Sequence, residues 1–395
     1  MLTSSQRAII TATVPLLETG GEALTTHFYK TMLAEYPEVR PLFNQAHQAS
    51  GAQPRALANG VLMYARNIDR LEALGPLAGQ IVNKHVALQI QPEHYPIVGS
   101  CLLRAIREVL GAEIATDAVI DAWGAAYQQL ADILIAAERD AYDVLAQSPG
   151  GWRGERNFIV ERKVPESAEI TSFYLTPQDG KPVVDFKPGQ YIGMRLDVGG
   201  EEIRRNYSLS AAAGGRGYRI SVKREANGVA STYLHDAVHE GDTIALFPPA
   251  GAFTFGDSIK PLVLISGGVG ITPTLAMAQA ALAGAPRPVV FIHYARNAQA
   301  HAFSNVVRDW AAAFPHFQAF FVYEHADVTA ARQPDAVGRP AVAHLEQWLP
   351  ADRDVDAYFL GPKPFMRAMK IALQEVGVPD AQAQYEFFGP AEALD

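Results

Sequence analysis

The sequence is poor in cysteine, with Cys101 alone among 395 residues. One thiol cannot form an intramolecular disulfide or a multi-cysteine metal cluster, and this usage is typical of a reducing compartment. The sequence also lacks an apolar run long enough to cross a membrane, and its first residues lack the basic lead and continuous apolar core of a signal peptide. We therefore expect a cytoplasmic protein.

Positive charge is also scarce. Lys and Arg number 33 against 42 Asp and Glu, which gives a formal net charge of -9. Proteins that bind nucleic acid or anionic membranes neutralise phosphates with clustered basic residues, so neither partner is expected. Hydrophobic residues make up 49% and charged residues 19%, as in ordinary globular proteins. Small-molecule chemistry in a monomer is the expectation.

The length and the hydrophobic pattern predict three domains. Residues 1–147 carry apolar residues at three- and four-residue spacing, which predicts an all-α domain. Residues 148–257 contain short runs bounded by Gly and Pro, which predict an antiparallel β-barrel. Residues 258–395 alternate apolar runs with amphipathic helices, which predicts a parallel α/β domain. The expected fold class is multidomain α + β + α/β.

Residues 205–210, RNYSLS, form the central motif. In a strand, Arg205 offers a fork for a phosphate, and the Tyr and Ser hydroxyls offer donors for a ribityl chain. Residues 188–191 predict a tight turn that ends in an aromatic ring, and residues 228–231 predict a turn that opens a helix, whose N-terminus attracts pyrophosphate. In this order the three segments resemble the flavin-binding barrel of the ferredoxin-NADP reductase superfamily.

Residues 261–273, PLVLISGGVGITP, run from a buried strand through glycines into a helix. We expect Thr272 to cap this helix and Pro273 to occupy its first position. The pattern is typical of a nucleotide phosphate turn, although it lacks the GxGxxG fingerprint because Pro273 replaces the third glycine. It resembles the GVGxTP turn of the same superfamily.

In the helical domain, His85 shares one stripe with Leu77, Ile81 and Leu88, so its imidazole is predicted to point into an apolar interior. A lone histidine of this kind is more often a hydrogen-bonded core residue than a ligand. The stripes that contain Tyr29 and Gln53 also place polar tips on buried faces of other helices. Phe43, at a helix corner after Pro41, adds a ring of the kind that wedges a flat cofactor.

Tyr29, Phe43, Gln53 and the Lys84-His85 pair, followed by KPGQY, RNYSLS and the final YEFFGP, resemble the flavohaemoglobins over essentially the whole chain. The resemblance implies haem b, FAD and NADH as cofactors. It implies that His85 is the proximal haem ligand, that Tyr29 and Gln53 face dioxygen, and that Tyr95 and Glu138 hydrogen-bond behind His85. From the residues alone, Glu138 could instead lie in a solvated last turn beside Arg139.

The resemblance also implies further cofactor contacts. Those with haem are Phe43 and Lys84, and those with FAD are Tyr191, Arg205, Asn206, Tyr207, Ser208 and Ser231. Those with the nicotinamide dinucleotide are Gly268, Val269, Gly270, Ile271, Thr272 and Pro273, and the C-terminal set is Phe387, Phe388, Gly389 and Pro390. Leu360 and Phe387 depart from the family pattern, because a cysteine is common at both positions. Phe388 is expected to cover the flavin ring.

The choice between NADH and NADPH depends on the segment after PVVFIHYA. Arg296 and Asn297 follow this strand with no nearby acid to bind a ribose 2′-hydroxyl, and an arginine there could accept a 2′-phosphate. The family generally favours NADH. We therefore expect NADH to be preferred and NADPH to be tolerated.

The expected activity, implied by the resemblance, is nitric oxide dioxygenation, in which NO and O2 give nitrate and electrons pass from NADH through FAD to haem. Two alternatives from other classes remain open at this point. One is a haem-based oxygen sensor or store, and the other is a reductase of lipid hydroperoxides or ferric iron. Nitric oxide detoxification is the role we expect in the cell.

Overall fold

The computed structural model describes residues 2–44, 47–48, 50–325, 333–389 and 394. The chain divides into two compact units. The first contains Met1–Ser148, Gly199–Arg205 and Gly389, and the second contains Pro149–Val198 and Asn206–Phe388. Within the described ranges, no helix is both long enough and apolar enough to cross a membrane. The domain boundaries at 147 and 257 remain predictions.

The N-terminal part is helical, as its period predicts. Its α-helices are α1 (Ser4–Glu35), α2 (Ala52–Arg66), α3 (Gly75–Leu88), α4 (His94–Leu110) and α5 (Asp117–Gln147). A capping box starts α1, because the Thr3 hydroxyl accepts from the Gln6 N–H and the Gln6 side chain accepts from the Thr3 N–H. Tyr64 Oη donates to the Ala126 carbonyl at 2.9 Å, which ties α2 to α5 through the core.

The chain then forms a six-stranded antiparallel sheet and one helix. These elements are β1 (Arg156–Pro165), β2 (Ile170–Pro177), β3 (Tyr191–Val198), β4 (Glu201–Ser208), β5 (Tyr218–Lys223), α6 (Val229–Asp236) and β6 (Thr243–Leu246). The strand order is β4-β3-β6-β1-β2-β5, so β4 and β5 are the two edges. Just beyond β4, Leu209 bridges Ile220 of β5, and the Ser210 N–H donates to the Arg219 carbonyl at 2.8 Å. The edges therefore meet and close the predicted barrel.

Gly189 makes the turn before β3 possible. Its φ of +102° is strained for any residue with a Cβ, and a Cβ there would lie 1.9 Å from the Phe253 carbonyl oxygen. The Gln190 N–H donates to the Lys187 carbonyl at 3.0 Å, which closes the predicted tight turn. The turn delivers Tyr191 to the start of β3.

The C-terminal part is a parallel sheet with helices. Its elements are β7 (Leu262–Gly267), α7 (Ile271–Ala283), β8 (Val289–Ala295), α8 (Ser304–Ala313), β9 (Phe317–Tyr323), β10 (Ala336–Val337), α9 (Val342–Trp348), β11 (Asp356–Leu360), α10 (Lys363–Glu375) and β12 (Ala383–Tyr385). The order β10-β9-β8-β7-β11-β12 reverses direction between β7 and β11. Such a reversal opens a crevice at the carboxyl ends of the strands, where nucleotides bind.

The predicted fold class is confirmed: helices, an antiparallel barrel and a parallel α/β sheet follow in that order. The short elements β10 and α9 had no prediction from the sequence. Both are brief, of two and seven residues, and carry too few apolar positions to show a period.

Candidate functional site

Helices α3 and α5 bring His85 and Glu138 together, although 53 residues separate them. His85 Nδ1 lies 2.6 Å from Glu138 Oε1, and the Tyr95 hydroxyl donates to the same oxygen at 2.6 Å. Tyr95 Oη is also 3.2 Å from His85 Nδ1. A carboxylate bonded to Nδ1 leaves Nε2 as the nitrogen available to a metal, which is how outer groups orient a ligating histidine.

Glu138 is buried, with 2% of its surface exposed, and α5 continues well beyond it to Gln147. The alternative of a solvated last turn beside Arg139 is therefore wrong. A buried carboxylate requires partners, and His85 and Tyr95 provide them. Burial and the neighbouring Glu138 carboxylate raise the pKa of Tyr95, so that its hydroxyl stays protonated and donates.

Tyr29 on α1 and Gln53 on α2 form a second polar pair inside the helical unit. Gln53 Nε2 donates to Tyr29 Oη at 3.3 Å, and the Tyr29 ring packs edge-to-face with Phe43 at a centroid distance of 5.4 Å. Burial raises the pKa of Tyr29 to about 12, and the bond from Gln53 opposes this increase. The hydroxyl is therefore neutral at physiological pH and able to donate to a ligand.

The apolar faces of α2 and α3 are incompletely covered. Leu57 and Val61 of α2 and Leu77 and Ile81 of α3 pack on the core yet stay partly exposed, although such residues are usually buried. The His85 side chain is 30% exposed as well. Haem fits these residues, because a flat apolar group would cover the exposed faces and take the histidine nitrogen.

Lys84 and Gly389, two further implied cofactor contacts, meet each other within the first unit. The Lys84 ammonium donates to the Gly389 carbonyl oxygen. Pro390, from the same C-terminal set, lies outside the described residues.

Tyr191 lies beside the RNYSLS segment, as the proposed flavin site requires. It is 7% exposed, and its backbone N–H and C=O both pair with Ala250 at 2.9 Å. The Leu209 N–H donates to the Gln190 carbonyl at 2.9 Å, which places the end of β4 next to this ring. Burial and, to a lesser extent, the Glu386 carboxylate raise the pKa of Tyr191, so the phenol remains neutral.

The four flavin candidates on β4 do not all face the same way. Strand alternation puts Arg205 and Tyr207 on one face and Asn206 and Ser208 on the other. Arg205 Nη1 donates to the Arg204 carbonyl at 2.7 Å. Asn206 is exposed, whereas Ser208 is 7% exposed. The four residues are therefore divided between two faces of β4 and do not form one continuous row.

Helix α6 presents an open N-terminus. Gly228 is its N-cap, and none of the described side chains caps its first turn, so the leading N–H groups are available to a pyrophosphate. The Ser231 hydroxyl accepts from the Glu225 N–H and donates to the Gly228 carbonyl, both at 3.1 Å. Ser231 therefore shapes the turn that presents these N–H groups.

Lys163, which the sequence interpretation missed, holds the opposite end of α6. Its ammonium donates to the carbonyls of Leu234, His235 and Val238 at 2.5 to 3.0 Å. A cation at a helix C-terminus stabilises the helix dipole. The segment FIVERKV carries Glu161 and Arg162 beside Lys163, so no signal in the sequence set this lysine apart.

The nucleotide turn corrects one prediction. Residues Gly268–Gly270 form a 3-10 turn, and α7 begins at Ile271 with Gly270 as its N-cap. Thr272 is therefore not the cap and Pro273 is not the first helical residue. The Thr272 hydroxyl donates to the Val269 carbonyl at 3.0 Å instead, because the 3-10 turn starts the helical geometry earlier.

Most residues of this turn are buried, so the predicted contacts with a dinucleotide would be made by its backbone. Ile271, Thr272 and Pro273 are buried, whereas Gly268 and Val269 are half-buried. A Cβ on Gly270 would lie 2.3 Å from the Leu360 carbonyl oxygen, so the end of β11 approaches the turn closely. Leu360 itself is fully buried and packs in the core.

The aromatic residues after β12 differ in exposure. Phe387 is half-buried and packs edge-on to Tyr385, with ring centroids 5.7 Å apart. Phe388 is 46% exposed, which is unusual for a phenylalanine. An exposed ring at this position suits the predicted cover for a flavin.

Arg296 does have an acid near it, contrary to the sequence-based expectation. It forms an ion pair with Glu169, from the turn between β1 and β2. The two residues are far apart in sequence. The strand pattern of the barrel does not show that the turn between β1 and β2 reaches the loop after β8.

Four buried polar side chains contact one another in series near the carboxyl ends of β7, β8 and β9, and the sequence interpretation missed them. They are Ser266, His293, His301 and Tyr323. The Ser266 hydroxyl lies 2.8 Å from His293 Nδ1, and His301 Nδ1 lies 2.9 Å from the Tyr323 hydroxyl. The two imidazole rings are tilted against each other with centroids 4.5 Å apart. A histidine within the apolar strand PVVFIHYA was the available signal.

Both histidines should make the protein sensitive to acid. Burial lowers the pKa of His293 to about 3, and burial together with His293 and Arg308 lowers the pKa of His301. Below about pH 6.5 the unfolded chain binds protons that the folded protein excludes, so we expect the free energy of unfolding to fall by ~1.4 kcal/mol per pH unit for each histidine. Urea unfolding between pH 7 and pH 5 measures this slope.

In the variant His293→Gln, the free energy of unfolding should change less steeply with pH than in the wild type. This holds even if the substitution alters the stability at pH 7. His325→Gln, which changes an exposed histidine, is the matched control and should retain the wild-type slope. Equal slopes in all three proteins would contradict the prediction.

Three family models match the chain in the order of its domains. A globin model matches residues 26–134, an oxidoreductase FAD-binding domain model matches residues 157–255, and an oxidoreductase NAD-binding domain model matches residues 264–370. The flavohaemoprotein of Pseudomonas aeruginosa is 65% identical over 395 residues, covering 100% of both chains. The chain belongs to the flavohaemoprotein family.

Other flavohaemoproteins agree with this assignment. That of Pseudomonas putida is 66% identical, again over 100% of both chains. The crystal structure of a flavohaemoglobin from Malassezia yamatoensis, which contains FAD and haem, matches with a TM-score of 0.85 and 27% identity over 98% of this chain and 100% of that one. The FAD/NAD-binding domain of a nitric oxide dioxygenase from Vibrio cholerae matches 60% of this chain and 99% of its own, with 38% identity and a TM-score of 0.55.

The flavohaemoprotein is therefore an oxidoreductase with haem, FAD and a nicotinamide dinucleotide as its cofactors. Its globin part binds small gases such as O2. The roles of individual residues remain predictions.

Proposed function

We propose that this flavohaemoprotein is an NAD(P)H-dependent nitric oxide dioxygenase, which converts NO and O2 to nitrate and so detoxifies nitric oxide. NADH is the preferred donor. Because NADH carries two electrons and each NO needs one, two NO and two O2 would yield two nitrate ions, NAD+ and a proton. The name of the Vibrio cholerae neighbour, a nitric oxide dioxygenase, supports the same activity here.

The observation that carries the proposal is the buried Glu138 carboxylate, 2.6 Å from His85 Nδ1. A carboxylate behind an axial histidine raises the basicity of that ligand. An electron-rich proximal side favours the activation of dioxygen over its storage. His85 is the proposed axial ligand, and Tyr95 and Glu138 position it.

When bound, the haem supplies an iron site for dioxygen and the FAD converts a hydride into single electrons. Tyr29 and Gln53 are the proposed hydrogen-bond donors on the side of the haem where dioxygen binds. Because Gln53 Nε2 donates to Tyr29 Oη, the hydroxyl proton of Tyr29 remains available to donate to the gas. Phe43 keeps the Tyr29 ring in place.

The chain's reductase residues bind and orient the other two cofactors. We assign the flavin pyrophosphate to the open N-terminus of α6 and the dinucleotide phosphates to the backbone of Gly268–Gly270. Arg205 keeps its predicted role as a flavin contact. Phe388 would shield the flavin until the nicotinamide arrives. We further propose a cytoplasmic monomer, because the substrates NADH and NO reach it there and the one cysteine, Cys101, is buried.

Stopped-flow absorption tests the proposal. The purified holoprotein is mixed with NADH without oxygen, and then with O2 and NO, while the flavin and haem bands are followed together. Flavin bleaching, haem reduction and then rapid nitrate formation are expected in that order. Flavin bleaching with haem left ferric, or NADH consumption that does not depend on NO, would contradict it.

Glu138→Gln should lower NO consumption by about tenfold, within the range seen for outer-shell partners of metal ligands. The amide cannot carry the negative charge that His85 and Tyr95 now share. The haem reduction potential should rise in the same variant. A loss of stability alone would not change this potential, so the measurement tests whether Glu138 acts on His85. Spectroelectrochemistry measures this potential.

The matched control is Glu108→Gln. Glu108 pairs with His27 at the same 2.6 Å, but this pair lies on the exposed surface of the globin part. The haem reduction potential and the NO consumption of Glu108→Gln should equal those of the wild type. An unchanged potential in Glu138→Gln would remove Glu138 from the proximal mechanism.

A further inference from the structure

Arg296 occupies the position where NADH and NADPH differ. In doubly wound sheets, the residue that follows the second strand contacts the adenosine ribose, with an acid for the 2′-hydroxyl or an arginine for the 2′-phosphate. Strand β8 pairs in parallel with β7 and ends at Ala295, directly before Arg296. The choice of dinucleotide therefore depends on what surrounds this guanidinium.

The turn between β1 and β2 supplies a carboxylate to it. Glu169 forms an ion pair with Arg296, and the Glu169 side chain is the more buried of the two, 26% exposed against 60%. The Ala168 N–H donates to the Gln299 carbonyl at 2.9 Å, which fastens the turn to the loop after β8. The arginine is thus already engaged by a carboxylate that is held in place.

Hydrogen bonds also fix the conformation of this turn. The Ser167 hydroxyl oxygen accepts from the N–H groups of Glu169 and Ile170 at 3.2 and 3.1 Å. The backbone that carries Glu169 is therefore held in an ordered turn next to Arg296. A phosphate that approaches Arg296 would have to break the ion pair while the Glu169 carboxylate stays nearby.

We propose that Glu169 selects NADH over NADPH by occupying Arg296. A 2′-phosphate would meet the Glu169 carboxylate as a like charge and would have to compete with it for the Arg296 guanidinium. A ribose 2′-hydroxyl is neutral, meets no such repulsion and can donate to the carboxylate. The proposal rests on the proposed binding of the dinucleotide at residues 268–270.

Fragment binding to the holoprotein tests this selection without turnover. Calorimetry with 5′-AMP and with 2′,5′-ADP measures the two dissociation constants and their ratio. In Glu169→Gln, the affinity for 2′,5′-ADP should rise by about 10-fold or more, because Arg296 becomes free to form a charge-assisted pair, while that for 5′-AMP should change little. The ratio of kcat/KM for NADPH to that for NADH in flavin reduction should rise by a similar factor.

Two further variants define the cause. Glu166→Gln removes a carboxylate from the same turn region and should leave both ratios at the wild-type value, so a gain equal to that of Glu169→Gln would overturn the proposal. The double variant Glu169→Gln/Arg296→Gln should lose the gain, and its retention would also overturn it. Wild-type protein that binds neither nucleotide would instead refute the proposed dinucleotide site.

Discussion

Replacing His85 with alanine is expected to abolish stable haem binding and to lower NO consumption by more than the ~10–100-fold that changes to outer-shell partners cost. The imidazole is the proposed link between the chain and the iron, and its partners Glu138 and Tyr95 cannot replace it, because Glu138 is buried behind it. Haem content per chain, from the absorbance of the purified protein, measures the loss. NADH-dependent reduction of ferricyanide through the flavin should persist.

The control is His27→Ala. His27 bonds to a carboxylate at 2.6 Å just as His85 does, but both partners are exposed, so haem content should be unchanged. Added imidazole should partly restore haem binding to His85→Gly, since it can occupy the vacated position. A His85→Ala protein with full haem content and an unaltered spectrum would show that another residue holds the iron.

Tyr29→Phe is expected to increase the dissociation rate of dioxygen by ~10–100-fold. The lost hydroxyl is the donor to the polarised gas, and a hydrogen bond to a charged acceptor contributes ~1.5–3 kcal/mol. Because the pKa of Tyr29 is about 12, the wild-type hydroxyl keeps its proton from pH 7 to pH 10. Oxygen retention in the wild type should therefore be flat over that range. Laser photolysis or stopped-flow dilution measures the rate.

Tyr64→Phe is the matched control for this variant. Tyr64 is equally buried, and burial raises its pKa to about 12 as well, but its hydroxyl donates to the Ala126 carbonyl of the core. This change should reduce stability and leave oxygen dissociation unaltered. An equal acceleration in both variants would assign the effect to loosened packing and remove Tyr29 from the distal role.

The periodic pattern was sufficient for the fold class, because periods of 3.6 and 2 report which faces of an element are apolar. Chemistry that is local in sequence could also be predicted, such as the turn at residues 188–191 and the glycine turn before α7. The cap assigned to Thr272 was wrong for a local reason, since a 3-10 turn and a helix start share the same residue pattern. Boundaries of this kind shift by a few residues without changing the fold.

The sequence by itself determined the helical, barrel and parallel-sheet segments, and it placed His85, Tyr29 and Gln53 on faces directed inward. Only the tertiary structure decided that Glu138 is buried against His85, that Glu169 reaches Arg296, and that the rings of His293 and His301 meet at the carboxyl ends of the strands. The physical reason is that a residue's face follows from local geometry, whereas the meeting of two faces depends on how whole elements pack. Burial and charge pairing, which set the chemistry of these groups, arise only from that packing.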